Sequence, residues 1–286
     1  MSYSLRVDHA TGMLVGLAVG DALGAPLEFQ ESREPENYVT EFCSGGVWKV
    51  QKGEWTDDTA MAFAMGCAIR DKKGFDANAI MDNFLDWYRN GAFIPRGTCF
   101  DIGNTTAKAL KKYELDRQTP YCGSSDPNTS GNGALMRIAP IVIAAPDRET
   151  LVQWATQQTL LTHGSDECVH YSRIFAEELY ANSPLQKHIR ERHPTDISRH
   201  DVMSGGYVKE TYQAAMWAFH TTDNFEDCVV AAVNRGHDTD TTGAVAGMIA
   251  GAYYGIYKIP EKFKEGLAWY DKLSKLAIDL YYLHKK

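Results

Sequence analysis

Apolar residues recur along this chain at the spacing of helices with one buried face, and that recurrence sets the expected elements. The first predicted helix opens at Thr11, runs through GMLVGLAVGDALG and stops before Pro26, because proline cannot sit in a helix interior. A second starts at Thr56, reads DDTAMAFAMGCAIRDKK and ends at Gly74. A third is capped by Asp76 and ends at Gly91. Further helical patterns cover 104–113, 133–144, 148–162, 165–181, 207–220, 224–235, 239–256 and 261–284. The segment 38–50 (YVTEFCSGGVWKV) reads as strand, with a turn at Gly45-Gly46. Two long irregular stretches, 114–132 and 183–206, separate similar patterns and so read as loops within one fold rather than linkers. The expectation is an all-α fold, a compact multi-helix bundle forming a single domain over 1–286.

Composition narrows the function classes. A net charge of -8 over 286 residues leaves no basic footprint for general nucleic-acid binding. It does not exclude a phosphate-bearing ligand, since bound cations reverse local charge. The six cysteines are dispersed and contain no C-x-x-C pair, which removes support for a structural zinc site. Cys67 and Cys228 lie in apolar helical runs and read as small buried groups, and the whole usage suggests a reducing, cytoplasmic setting. The apolar stretch 13–20 lacks the positive flank of a signal peptide, because Asp8 accompanies Arg6 and Asp21 follows directly. At that length it is too short to span a bilayer, so no membrane span is expected.

The candidate chemistry lies in two clusters, Thr56-Asp57-Asp58-Thr59 and Asp238-Thr239-Asp240-Thr241. Singly, each reads as a cap with acids in the first helical turn. Together they have one composition, and each opens a helix of small residues, AMAFAMG and GAVAGMIAGAYYG. Close packing of those two helices would join the clusters. Converging carboxylates repel unless cations hold them. Carboxylate and hydroxyl oxygens suit magnesium, manganese or calcium, and two such ions a few ångströms apart are a recurrent hydrolytic device. Asp21 within an apolar helix needs a partner. Glu28, just past Pro26, is placed to act as a base or as a gate over the metals. Asp101-Ile102-Gly103-Asn104-Thr105-Thr106 turns into a helix N-terminus, a setting that suits anionic groups. Ser130-Gly131-Asn132-Gly133 permits close backbone approach to a phosphate, and Arg137 has a carboxylate or a phosphate as its options. His163 and His237 lie beside these segments, while Trp217 and Phe219 read as core.

The motifs GLAVGDALGAPLE (16–28), WTDDT (55–59), DIGNTT (101–106), SGNGALMRIAP (130–140), TH (162–163) and GHDTDTTGAVAG (236–247) resemble those of the ADP-ribosylglycohydrolase family. They occur in family order over nearly the whole chain. The resemblance implies an all-α fold with two divalent ions, magnesium or manganese, on Thr56, Asp57, Asp58, Asp238, Asp240 and Thr241. It further implies that Asp101 contacts the ribose or its leaving group and that Glu28 is a flexible gating acid. Asn104, Gly131, Asn132, Gly133 and His163 would surround the ADP-ribose. The implied substrate is a protein carrying ADP-ribose, most naturally on arginine, and the implied product is free ADP-ribose. Serine-linked, nucleic-acid-linked and O-acetyl ADP-ribose stay open, as does a non-catalytic ADP-ribose reader.

Overall fold

A computed structural model of the chain describes residues 6–181 and 198–284. Twelve α-helices are present among them. The first four are α1 (Val7–Gly24), α2 (Asp57–Lys72), α3 (Ala77–Asn90) and α4 (Asn104–Leu115). Next come α5 (Ala139–Ala144), α6 (Arg148–Leu160), α7 (Asp166–Ala181) and α8 (Val208–Thr221). The last four are α9 (Phe225–Val233), α10 (Thr239–Tyr254), α11 (Glu261–Gly266) and α12 (Tyr270–Tyr281). No strand occurs among the described residues, so the all-α expectation holds. Much of the expected irregular stretch 183–206 lies outside the described residues.

The helix pair at the centre is α1 with α10. Both are buried nearly from end to end, as expected for helices that are apolar on every side. They run antiparallel with their backbones in contact. Gly12, Gly16, Gly20 and Gly24 face Gly251, Gly247, Gly243 and Thr239, and a Cβ on any of the four would lie 1.9–2.5 Å from the opposing carbonyl oxygen. The four-residue glycine period is therefore a packing seam. It differs from the expectation that α10 would pack on α2: the small face of α10 is spent on α1, and α2 reaches the pair with its N-terminal turn. The helix beginning at Val7 is also longer than the apolar stretch suggested. Val7–Leu27 is apolar and long enough to cross a membrane by composition, and it is buried throughout inside the protein.

Local signals set most helix ends. Asp76 accepts the amide of Ala79 at 2.9 Å, Asp147 that of Thr150 at 2.8 Å and Asn224 that of Asp227 at 2.9 Å. Tertiary contacts override the pattern in three places. The single helix expected over 261–284 is broken at Trp269, which takes a left-handed backbone (φ 59°). There Ala268 donates to Gly53 O and accepts the indole N–H of Trp55, and the Trp55 and Trp269 rings meet edge to face at 5.6 Å. The helix expected over 133–144 is confined to α5, because Leu135 and Met136 both turn back onto Asn132 O. The strand expected over 38–50 reduces to one bridge, Gly45 with Val50. Val39 finds its partners in a side chain: Asn234 accepts its amide at 2.9 Å and donates to its carbonyl at 3.0 Å. An amide group thus satisfies the backbone that a neighbouring strand would have paired.

Candidate active site

The seam carries the C-terminal end of α1 to the N-terminal end of α10, and Asp21 ties α2 to both. Asp21 is fully buried and accepts four hydrogen bonds: Thr56 N (2.9 Å), Thr56 Oγ1 (3.0 Å), Thr59 N (3.0 Å) and Thr59 Oγ1 (2.6 Å). It caps α2 from a different helix. Thr56 and Asp238 themselves make no side-chain cap, so the capping reading of the two clusters fails and their oxygen atoms are left for other work. Thr56 Oγ1 also lies 3.2 Å from Asp58 Oδ2 and 3.3 Å from Asp240 Oδ2, and Thr241 Oγ1 lies 3.4 Å from Asp58 Oδ2. The two clusters do meet, directly at the N-terminal ends of α2 and α10 and through Asp21 of α1.

Two groups of carboxylate oxygens converge here, each within 4.8 Å: Asp21, Asp58 and Asp240, and then Glu28, Asp101 and Asp240. Asp58 Oδ1 and Asp240 Oδ1 are buried with no hydrogen-bond partner. Orphaned buried carboxylate oxygens are costly unless something positive approaches them. No lysine or arginine forms an ion pair with any of these acids among the described residues. The donor set is all oxygen and fits a hard divalent cation. Asp21 has both oxygens engaged twice over by α2, so it positions the cluster.

The acids form one end of a cleft of about 420 Å³. Glu28, Asp57, Asp101, Asp238, Asp240 and Thr241 line it, together with Asn104, Gly131, Asn132, Gly133 and His163. Of the residues singled out in the sequence, Thr56, Asp58, Asp21, Arg137 and His237 do not line this cleft, and Thr56, Asp58 and Asp21 are fully buried beside its acids. Asn132 Nδ2 joins the glycine-rich segment to the acids, donating to Asp238 Oδ2 at 2.8 Å and to Thr211 Oγ1 at 2.9 Å. Four non-glycine residues with left-handed backbone, Phe29, Lys49, Asp101 and His237, sit in the segments around this opening. Such strain persists only where the surroundings impose it. Phe29 and His237 show how: Phe29 N donates to His237 O at 2.7 Å, and His237 N donates to Gln30 O at 2.8 Å.

Comparison with known proteins decides the family. The family model described as ADP-ribosylglycohydrolase matches residues 1–182 and 177–286. ADP-ribosylarginine hydrolase Tri1 of Pseudomonas putida (strain GB-1) is 35% identical, over 96% of this chain and 78% of its own length. The ADP-ribosyl-[dinitrogen reductase] glycohydrolase of Rhodospirillum rubrum is 32% identical over 93% and 90%. A solved structure titled ADP-ribosylglycohydrolase-related protein complex superposes with a TM-score of 0.84 at 33% identity, covering 98% of this chain and 99% of that one. This chain belongs to the ADP-ribosylglycohydrolase family.

Within this glycohydrolase cleft, burial and mutual repulsion shift the titration of the acids above their ordinary range. Burial, then Asp240, lifts Asp57; burial, then Asp21, lifts Asp58. Asp238 and Asp240 are raised to about 7, by burial first and then by Asp240 and Glu28 respectively. Burial takes Glu28 to about 7 against the stabilising indole of Trp48, and Asp21 to about 6 against the donors of α2. Asp101 is lifted well above its usual range, by burial and then Asp57, and its carboxyl hydrogen-bonds to Glu28 and Asp240. His163 is driven down to about 3 by burial and by Arg137, so it is neutral.

Trp48 was not singled out by the sequence. Its indole N–H donates to Glu28 Oε2, and Arg96 fixes its loop by donating to Trp48 O at 3.0 Å while stacking on Phe100 at 4.0 Å, beside Asp101. Trp48 falls in the segment that read as strand, where an aromatic residue needs no further explanation. Phe29, 66% exposed at the mouth, was also passed over. Arg137 contacts neither a carboxylate nor the cleft: it is fully buried against Phe84 and donates to Gln158 and Thr162. His237 is exposed and contributes through its backbone.

Proposed function

We propose that this chain hydrolyses the N-glycosidic bond that joins ADP-ribose to an arginine side chain of a modified protein. The supporting observation is a single cleft in which an all-oxygen acid cluster with orphaned oxygens shares the lining with Gly131-Asn132-Gly133 and His163. Two relatives named for ADP-ribosylarginine or ADP-ribosyl-[dinitrogen reductase] hydrolysis favour arginine as the acceptor. The terminal ribose would lie against the acids and the diphosphate against the glycine-rich wall.

Thr56, Asp57, Asp58, Asp238, Asp240 and Thr241 are the residues that would hold two divalent cations, magnesium or manganese. Bound there, such ions supply Lewis-acid polarisation of sugar and water oxygens. The chain's own acids handle the protons. Asp101, hydrogen-bonded to Glu28, gives its proton to the guanidine nitrogen as the bond to the anomeric carbon breaks. The bonding pair leaves with that nitrogen. Water adds to the oxocarbenium-like carbon and loses its proton to the carboxylate form of Glu28, which the Trp48 indole stabilises against the upward pull of burial. Proton return from Glu28 to the adjacent Asp101 restores the site, and the products are ADP-ribose and arginine.

The deciding experiment incubates the protein with arginine-ADP-ribosylated substrate in magnesium, manganese or EDTA and measures free ADP-ribose. Metal-dependent release with loss of turnover in a folded Asp240→Asn variant is expected. Metal-independent binding without release would make the protein a reader, and release from serine-linked substrate alone would move the acceptor.

A further inference from the structure

The buried Arg137 has a use the cleft itself does not show. It is fully buried, it forms no ion pair among the described residues, and its Nη2 donates to Thr162 Oγ1 at 2.8 Å. An arginine can only donate, so Thr162 Oγ1 is the acceptor in that bond. The same oxygen lies 2.8 Å from His163 Nδ1. Thr162 is wholly buried, and its hydroxyl proton has no other acceptor among the described residues. If His163 Nδ1 carried a proton, the hydroxyl would accept twice and its own proton would be stranded in the core, at a cost a buried polar group rarely bears. The consistent assignment sends the hydroxyl proton to Nδ1 and leaves the ring proton on Nε2. His163 Nε2 has no partner among the described residues. It faces the loop of Gly131 and Gly133, where a Cβ at Gly133 would come within 3.1 Å of it.

We infer that Arg137 and Thr162 are positioning residues that lock His163 as a neutral Nε2–H donor aimed at an acceptor oxygen of the bound ADP-ribose group. The inference rests on the proposed function for the ligand's identity, while the tautomer is a property of the protein alone. A protonated ring is disfavoured by burial first and then by the guanidinium standing behind the same hydroxyl. The relay also explains why Arg137 is kept in the core: a permanent donor fixes the direction of the Thr162 hydroxyl, which a neutral side chain able to accept would not do.

Long-range proton–nitrogen NMR on histidine-labelled protein reads the tautomer directly, and calorimetry with ADP-ribose as the probe reads its consequence. The wild-type ring should be in the Nε2–H form. Thr162→Val, nearly isosteric, should give a tautomer mixture, weaken ADP-ribose about tenfold and raise KM with kcat little changed. Thr162→Ser should restore both readouts to within about twofold. A wild-type Nδ1–H ring, or a Thr162→Val variant that keeps the Nε2–H form and full affinity, would overturn the relay. An Nε2–H ring in a protein that does not bind ADP-ribose would leave the relay standing and remove the proposed ligand and function instead.

Discussion

The carboxylate of Asp21 accepts both the amide and the hydroxyl of Thr56, at 2.9 and 3.0 Å. The second bond draws the single hydroxyl proton toward Asp21 and leaves the lone pairs of Thr56 Oγ1 facing Asp58 and Asp240. A threonine that would otherwise have capped its own helix is turned into an oxygen donor. Asp21→Asn keeps the shape but places an amide N–H against the donors of α2. That variant is expected to lose about 2–4 kcal/mol of stability and to bind magnesium about 10–100-fold more weakly. Chemical denaturation and calorimetric magnesium titration measure the two effects. Unchanged magnesium affinity in the folded variant would show that Asp21 has no hold on the cluster.

Gly20→Ala tests the central seam. The added methyl would sit 1.9 Å from Gly243 O, with backbone rather than a flexible side chain in its way. Overpacking that can be relieved only by moving helices is expected to cost about 3 kcal/mol or more. Thermal unfolding should show it, and Gly66→Ala, which meets only the ends of Leu276 and Leu280, should be milder. Equal losses at both sites would count against the seam.

The metal-free protein is expected to gain stability as the solution is acidified. Glu28, Asp238 and Asp240 stand near 7 and Asp21 near 6, all above the ordinary value of about 4. Groups raised in the folded state stabilise it fully below their unfolded values, and that contribution is lost as pH climbs through about 6–7. His163 acts oppositely: its folded value near 3 withdraws stability once pH falls below about 6.5. Four carboxyls outweigh one imidazole over that window. In EDTA the melting temperature should therefore rise from about pH 8 to about pH 6, and saturating magnesium should flatten the rise. A melting temperature that falls over that interval in EDTA would contradict the raised values.

Trp48→Phe removes the indole N–H from Glu28 but preserves an aromatic ring over Phe100. Without that donor the Glu28 carboxylate is less stabilised and its pKa moves further upward. The acid limb of the kcat/KM profile should shift to higher pH. Activity should fall about three- to tenfold on the acid side, with recovery in alkaline buffer. A uniform loss at every pH would mean that Trp48 acts through shape alone.

The helices, the acid clusters and the glycine-rich segment were legible in the sequence because each is written in contiguous residues. Asp76, Asp147 and Asn224 announce helix starts locally, and Asp238-Thr239-Asp240-Thr241 is its own signal. What escaped depends on distant partners. The stop at Trp269 is imposed by Gly53 and Trp55, and the failed strand near Val39 by Asn234. The small residues of α10 were visible, but the matching period of Gly12, Gly16, Gly20 and Gly24 in α1 went unread. That Gly251, Gly247 and Gly243 of α10 match those glycines, instead of the small residues of α2, is a fact of three-dimensional register. Trp48 was passed over, and Arg137 was given the wrong partners, for the same reason: each acts through polar contacts with residues 20 or more positions away.

A seam with no side chains between its two backbones has nothing that can be compressed. Elsewhere in a protein, a methyl too many is absorbed by rotamers close to where it is added; along α1 and α10 it must be passed along the axis. Gly12 and Gly24 are separated by about 18 Å of helix, yet a wedge at the first would tilt the second, and with it Thr239 and Asp240. The acid cluster therefore inherits its tolerances from residues that never approach a substrate. Drift in this enzyme is expected to be policed from its quietest stretch of sequence.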